Sequence, residues 1–284
     1  MRPVEDFRHF YARFIVSSAG SSNERLIAAF CRVRREDYVG PGPWHIFVGG
    51  GYLQTISDDP RLLYQDIVIG LATERGINNG QPTLHARCLA ACDPKLGESV
   101  IHIGAGTGYY TAVLSNLVGA SGNVTAFEIE PDLAERARIN LRHLANVVVK
   151  TASASGVPLP SADVIYVNAG ATHPVAEWLD ALNIGGRLVF PLTPDEGFGC
   201  MLLVTRSAET NYAASVVTRA AFIPCMGARD DAASKALMAA LDTQSIKSVR
   251  SLHRNAQPDR TAWCIGSGWW LSTAAPMDVH KDDS

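Results

Sequence analysis

Glu98-Ser99-Val100-Ile101-His102-Ile103-Gly104-Ala105-Gly106-Thr107-Gly108-Tyr109 decides how the rest of the chain is read. A β-branched apolar run (Val100, Ile101, Ile103) ends in three glycines spaced two apart. Tyr110, Val113, Leu114, Leu117 and Val118 then fall at helical spacing. The pattern predicts strand, tight turn and helix. Glycine at such a turn lets the backbone take positive φ and approach a ligand closely. The free N–H groups of the helix N-terminus then face whatever sits above it.

Two cofactor classes use a turn of this kind. The dinucleotide fingerprint G-x-G-x-x-G needs a glycine at position 109, which is Tyr109 here. The tighter G-x-G-x-G resembles the first motif of class I S-adenosylmethionine (AdoMet) methyltransferases. The next β-rich run, Asn123 to Ile129, carries Glu128 at its carboxyl end, about 20 residues past the turn, where an acid can accept both hydroxyls of a ribose.

Around this centre the chain alternates. Strands are predicted at 99–103, 123–128, 147–150, 162–168 and 186–191, and helices at 108–118, 132–144 and 174–182. This order implies a doubly wound, mostly parallel α/β sheet of Rossmann type. Runs at 201–205 and 214–218 predict antiparallel strands closing its edge. Upstream, residues 1 to 40 read as helices, with Asn23 capping the second. Residues 45–60 read as a glycine-rich loop, 64–71 as a short strand, 76–82 as a loop and 83–92 as a helix with Leu84, Cys88 and Leu89 inward. A helix is expected over 230–241. Trp263, Trp269 and Trp270 should add a strand or cover the core, and the tail from Pro276 should fray. The expected division is an N-terminal helical and substrate-loop segment (1–95), an AdoMet-binding core (96–227) and a C-terminal extension (228–284).

The 284 residues are 47% hydrophobic and 19% charged with a net charge of -3, an ordinary globular composition without polyanion-binding character. The six cysteines include no C-x-x-C pair, and no His-x-x-x-His pair is present, so free thiols and no metal are expected. The first ten residues lack the apolar core of a signal peptide, and no apolar run approaches the ~18 residues of a membrane span. A cytoplasmic protein that binds neither membrane nor nucleic acid is expected.

Several further stretches resemble one family, the protein-L-isoaspartate O-methyltransferases. Val33-Arg34-Arg35-Glu36-Asp37-Tyr38-Val39 is similar to its V-P-R-E-x-F-V, and Tyr64-Gln65-Asp66 to its Y-x-D. Gln81-Pro82-Thr83-Leu84-His85-Ala86-Arg87 is similar to its Q-P-Y-I-V-A-R, and Val100 to Tyr109 to its V-L-E-I-G-T-G-S-G-Y. Glu128 stands where its V-E-R acid does. Asn168-Ala169-Gly170-Ala171 resembles its T-A-A-A, and Gly185 to Pro191 its G-G-R-L-V-I-P. The resemblance spans roughly residues 20 to 227 in order. Three departures stand out. The family's substrate loop G-Q-T-I-S-Q-P is Gly76-Ile77-Asn78-Asn79-Gly80-Gln81-Pro82 here, without either hydroxyl. Its G-D-G after the third strand is Thr151-Ala152-Ser153, and His102 replaces the usual acid before the first glycine.

The resemblance implies AdoMet-dependent O-methylation of a carboxylate on a peptide, protein or small metabolite. Such a transfer needs in-line positioning and no general base, because a carboxylate is already ionised at neutral pH. The expected catalytic positions are Asn79, Gly80 and Asn168. Expected cofactor contacts are His102, Gly104, Ala105, Gly106, Gly108, Tyr109, Glu128, Ile129, Asn168 and Ala169. Expected substrate contacts are Asp66, Asn78, Asn79, Gln81 and His85, the last weighed against a surface histidine. For His102, a hydrogen-bonded core or cofactor-loop role is favoured over general base catalysis. Two other classes stay open: a nicotinamide oxidoreductase on the same layers, and an AdoMet-binding module without chemistry.

Overall fold

A computed structural model describes residues 2–276. By internal contacts the chain forms two compact units, Met1–Ala152 and Ser153–Ser284. The N-terminal helices pack onto the glycine-turn region. Arg25 donates from the second helix to the carbonyls of Pro94 and Leu117, both at 2.8 Å.

The first unit opens with α1 (Val4–Ser18) and α2 (Glu24–Arg32). Asn23 caps α2, its Oδ1 accepting from the backbone N–H groups of Arg25 and Leu26. A small hairpin follows, β1 (His45–Phe47) and β2 (Tyr52–Gln54), where the sequence suggested only loop; its tip is Gly49-Gly50-Gly51. The strand expected over 64–71 shrinks to β3 (Gly70–Ala72), which pairs antiparallel with the two-residue β4 (Ile77–Asn78). The reason is visible at Arg35. Its guanidinium takes the carbonyls of Leu63, Gln65 and Ile67, so residues 63–67 are ordered by a side chain, and pairing with β1 starts at Val68, whose carbonyl accepts from Phe47 N–H at 2.9 Å.

Next come α3 (Pro82–Cys92), β5 (Ser99–Ile103), α4 (Tyr109–Val118), β6 (Asn123–Glu128), α5 (Pro131–Leu141) and β7 (Val147–Thr151). β5, β6 and β7 pair in parallel, with Ile103 opposite Phe127 and Glu128 opposite Thr151. Val100, Ile101, His102 and Ile103 are all buried, as is nearly every residue of α4. A helix apolar on all sides is a core helix, and α4 begins directly at the glycine turn.

The second unit holds β8 (Ala162–Val167), α6 (Ala176–Asp180), β9 (Leu182–Leu192), β10 (Gly199–Ala208), β11 (Asn211–Ala220), α7 (Asp231–Thr243), β12 (Ser251–Arg254), β13 (Ala262–Gly266) and β14 (Trp269–Ser272). β8 and β9 are parallel. From β9 outward the pairing is antiparallel, in the order β9, β10, β11, β12, β14, β13. The antiparallel edge expected from two runs is thus longer by three strands, all from the C-terminal extension. Trp263, Trp269 and Trp270 are buried there, and Trp270 stacks on His253 at 4.0 Å. Beyond Pro276, the tail expected to fray lies outside the described residues.

Candidate active site

Gly104, Gly106 and Gly108 all adopt positive φ, at 73°, 56° and 95°. That conformation costs an L side chain roughly 1–2 kcal/mol. The turn is fixed by its own backbone: the N–H groups of Gly104 and Ala105 donate to the Phe127 carbonyl at 2.9 and 3.1 Å. A Cβ on Gly108 would lie 2.7 Å from Leu141 Cδ1, so this glycine also allows α5 to close against the turn. Gly108 caps α4 with no side-chain acceptor, which leaves the first-turn N–H groups directed outward.

Glu128 is only 6% exposed. One carboxylate oxygen accepts from Gly106 N–H at 2.6 Å and the other from Glu130 N–H at 3.0 Å. Burial pushes its carboxyl above the ordinary value, while those backbone donors pull in the opposite direction. Each oxygen has two lone pairs, so the acid retains capacity for two hydroxyl donors after holding the turn. Ile129, beside it, is 39% exposed and offers an aliphatic face. Glycine turn, open helix N-terminus and partly satisfied acid fit an AdoMet-sized nucleoside.

The side chains of two expected cofactor contacts face elsewhere. Tyr109 is buried, pairs its hydroxyl with Tyr11 at 3.4 Å and packs edge-on against Tyr38. Only its backbone belongs to the turn. That ring fills the place where a dinucleotide fingerprint has its third glycine, which argues against the oxidoreductase reading. His102 is fully buried in β5, with Nδ1 2.8 Å from Thr111 Oγ1, and so supports α4 from beneath. Burial drives its imidazole down to about 3.

The loop at 76–82 is held mainly by its own side chains. Asn79 Oδ1 accepts from Ile69 N–H at 2.8 Å, and Asn79 N–H donates back to the Ile69 carbonyl. Asn78 Oδ1 accepts from Gly80 N–H at 3.0 Å, while its Nδ2 faces Tyr52 Oη at 3.3 Å. Asp66 accepts from Gln81 Nε2 at 2.9 Å and from Thr83 N–H at 2.7 Å, capping α3 from across the chain. Asp66, Asn78 and Gln81 therefore organise the loop, and none is a bare group awaiting substrate. Asn79 Nδ2 and Thr83 Oγ1 are buried with no hydrogen-bond partner among the described residues. His85 is 1% exposed, not a surface residue, and stacks on Tyr110 at 3.8 Å.

Two residues that sequence reasoning did not single out complete this frame. Arg35 is fully buried without a carboxylate; three carbonyls and the faces of Tyr11 and Tyr109, 5.3 and 5.8 Å away, surround its charge. Its signal in the sequence was its place in the Val33–Val39 segment, where charged neighbours (Arg34, Glu36, Asp37) make it look like a surface residue. Arg75, at the base of the loop, donates to Glu130 and Asp132, each at 2.6 Å, tying the loop to the start of α5. In the second unit, Asn168 and Ala169 follow β8 directly and are half-buried. The following Gly170 exchanges backbone bonds with Ile223 and Cys225, and its carbonyl accepts from Arg229 at 2.9 Å.

A family model for protein-L-isoaspartate(D-aspartate) O-methyltransferase (PCMT) matches residues 52–230. The chain belongs to that family. Protein-L-isoaspartate O-methyltransferase 2 of Marinobacter nauticus is 31% identical over 230 residues, covering 79% of this chain and 94% of the relative. The Ignicoccus hospitalis protein-L-isoaspartate O-methyltransferase is 31% identical over 167 residues, covering 57% and 78%. Among solved structures, a protein-L-isoaspartate O-methyltransferase superposes with a TM-score of 0.62 at 25% identity, covering 76% of this chain and 65% of that one. A Plasmodium falciparum member crystallised with S-adenosyl-L-homocysteine gives the same TM-score at 17% identity, covering 78% and 98%, and speaks for the fold alone. This family member is thus an AdoMet-dependent methyltransferase with the class I, Rossmann-like fold. Among its described residues no helix is long and apolar enough to cross a membrane.

Proposed function

We propose that the chain methylates the free α-carboxylate of an isoaspartyl residue in a peptide or protein. The observation that carries this reading is the bond from Gly106 N–H to the buried Glu128 carboxylate, which joins turn and acid into one cradle in a chain of this family. When bound there, AdoMet would supply a methyl on a sulfonium, transferable to the acceptor carboxylate oxygen with a thioether as the leaving group.

The protein's own part is positional. The backbone of Gly104 to Gly108 and the first turn of α4 hold the methionine end, Glu128 accepts the ribose hydroxyls, and Ile129 packs on the base. Asn79 Nδ2 is the donor assigned to the acceptor carboxylate, beside the backbone of Gly80. Asn168 and Ala169 keep the roles that the resemblance implies, and Asn168→Ala is their test. An ionised acceptor needs no proton removed, so no residue is assigned as general base. The six unbridged cysteines suit a reducing compartment, which supports the cytoplasm as the location.

Radiolabelled methyl transfer to an isoaspartyl peptide tests the reading. Base-labile label above that of the aspartyl control is the expected result. AdoMet binding by calorimetry without turnover would reduce the chain to a binding module, and no AdoMet binding would remove the assignment.

A further inference from the structure

Two glycines of the loop have almost the same backbone and opposite surroundings. Gly76 has φ 69° and Gly80 has φ 70°. A Cβ built on Gly76 meets nothing within 4 Å. A Cβ built on Gly80 lands on His85 Nε2, 3.0 Å from Cδ2 and 3.4 Å from Cε1. The imidazole therefore occupies the space that any side chain at position 80 would need.

A colliding side chain is tolerable when it can swing away, and His85 cannot do so cheaply. It lies in the first turn of α3, whose start is pinned by Asp66, and is 1% exposed. Its ring lies against Tyr110 with 25° between planes, and Tyr110 is in the first turn of α4, directly after the glycine turn. Tyr110 is itself buried between His85 and Tyr109. Any rotation of the imidazole would have to enter a packed core. Burial, with the fields of His102 and Arg35, holds the ring neutral.

We propose that His85 is a positioning residue of the acceptor loop: its ring supports the loop behind Gly80, makes glycine obligatory there, and seats the loop against the helix that begins at the cofactor turn. The contact with acceptor then comes from loop backbone and from Asn79, with residue 80 contributing no side chain. This rests on the acceptor-side reading of the loop given above, and the steric pairing can be measured without it.

The experiment compares Gly80→Ala with Gly76→Ala, each in the wild-type and His85→Ala backgrounds, by thermal unfolding and by limited proteolysis. Both alanines incur the same left-handed strain, so only the collision differs. In the wild type Gly80→Ala should lower the midpoint clearly more than Gly76→Ala, and in His85→Ala the two should cost the same. Equal losses in the wild type, or a difference that survives in His85→Ala, overturns the pairing. If His85→Ala does not fold, the wild-type comparison of the two glycines decides. For the positioning role, His85→Ala should raise the KM for an isoaspartyl peptide about tenfold, the scale of one lost oriented contact, with AdoMet affinity within about twofold of wild type. An unchanged KM overturns it. A wild type that binds AdoMet but methylates no isoaspartyl peptide would remove the functional reading and leave the unfolding comparison to judge the pair.

Discussion

The cofactor turn and the acceptor loop are both glycine-rich connections in the first unit, and they are built on different principles. The turn at Gly104–Gly108 is made mostly of backbone: its N–H groups face Phe127 and Glu128, with side chains entering at the Glu128 carboxylate and at Asn140 Nδ2, which donates to the Thr107 carbonyl at 2.9 Å. The loop at Gly76–Pro82 is made of side chains, with Asn78, Asn79 and Gln81 spent on Gly80, Ile69 and Asp66. A backbone cradle tolerates change around it so long as the glycines and the acid remain. A side-chain loop depends on distant partners that must change together with it.

The largest effect that separates the two should follow loss of the acid. Glu128→Ala removes both ribose acceptors and leaves Gly106 N–H without its buried partner. Two charge-assisted bonds of this kind correspond to a drop in AdoMet affinity of at least about a hundredfold. Calorimetry should find the fold intact by circular dichroism and the binding heat gone. Retained affinity would mean that the turn does not hold the nucleoside.

Next in size is Gly108→Ala. It combines left-handed strain at φ 95° with overlap on Leu141, so a loss of about 2–4 kcal/mol in unfolding free energy is expected. Chemical denaturation would measure it. Adding Leu141→Ala should not restore full stability, because the strain remains after the overlap is relieved.

Asp66→Ala should be milder, costing about 1–2 kcal/mol through the lost cap of α3. Its signature lies in function: Gln81 and the N-terminus of α3 lose their common anchor, so the peptide KM should rise while AdoMet affinity holds. An equal loss on both sides would show that the loop and the turn are not separable.

The same contrast explains what could be read before the structure. β5, the turn and α4 follow from the β-branched run, three glycines and a helical period, all within some twenty residues. Glu128 stood out in the sequence because an acid at a strand end at that distance can accept ribose hydroxyls, and the fold sets its carboxylate against the turn at Gly106. The loop was not legible in this way. Asn78 and Asn79 look like donors offered to a ligand, yet most of their capacity goes to groups that only the folded chain brings near. Arg35 replaces the first part of a strand predicted at 64–71 with a coil whose carbonyls it takes, and no local pattern encodes that. His85 next to Gly80 depends on helix geometry over five positions and on Tyr110 from another helix. The three extra antiparallel strands came from a segment whose residues form only short runs between turns, below the length at which alternation is decisive.

The smallest expected effect is a flat line. His85 and His102 are the imidazoles nearest the loop and the turn, and burial drives each down to about 3. Neither changes charge between about pH 6 and 9, so kcat for an isoaspartyl peptide should show no inflection from an imidazole over that range. An inflection near the ordinary histidine value, abolished by His85→Ala, would instead make that ring a base and contradict a mechanism built on position. Stability behaves differently. The unfolded chain takes up protons on these histidines below about pH 6.5 while the folded chain refuses them until about 3, so the unfolded state binds more protons in between. Their contribution is complete above the unfolded value and is lost as pH falls through that window. The unfolding midpoint should therefore decline on acidification from about pH 6.5 while the rate per folded molecule holds until AdoMet affinity fails. That failure should begin above the usual carboxylate range, because Glu128 is raised and its protonation withdraws a ribose acceptor. Following midpoint, rate and affinity on one pH series would separate the histidines, which take no part in proton transfer, from the acid, which holds the ligand.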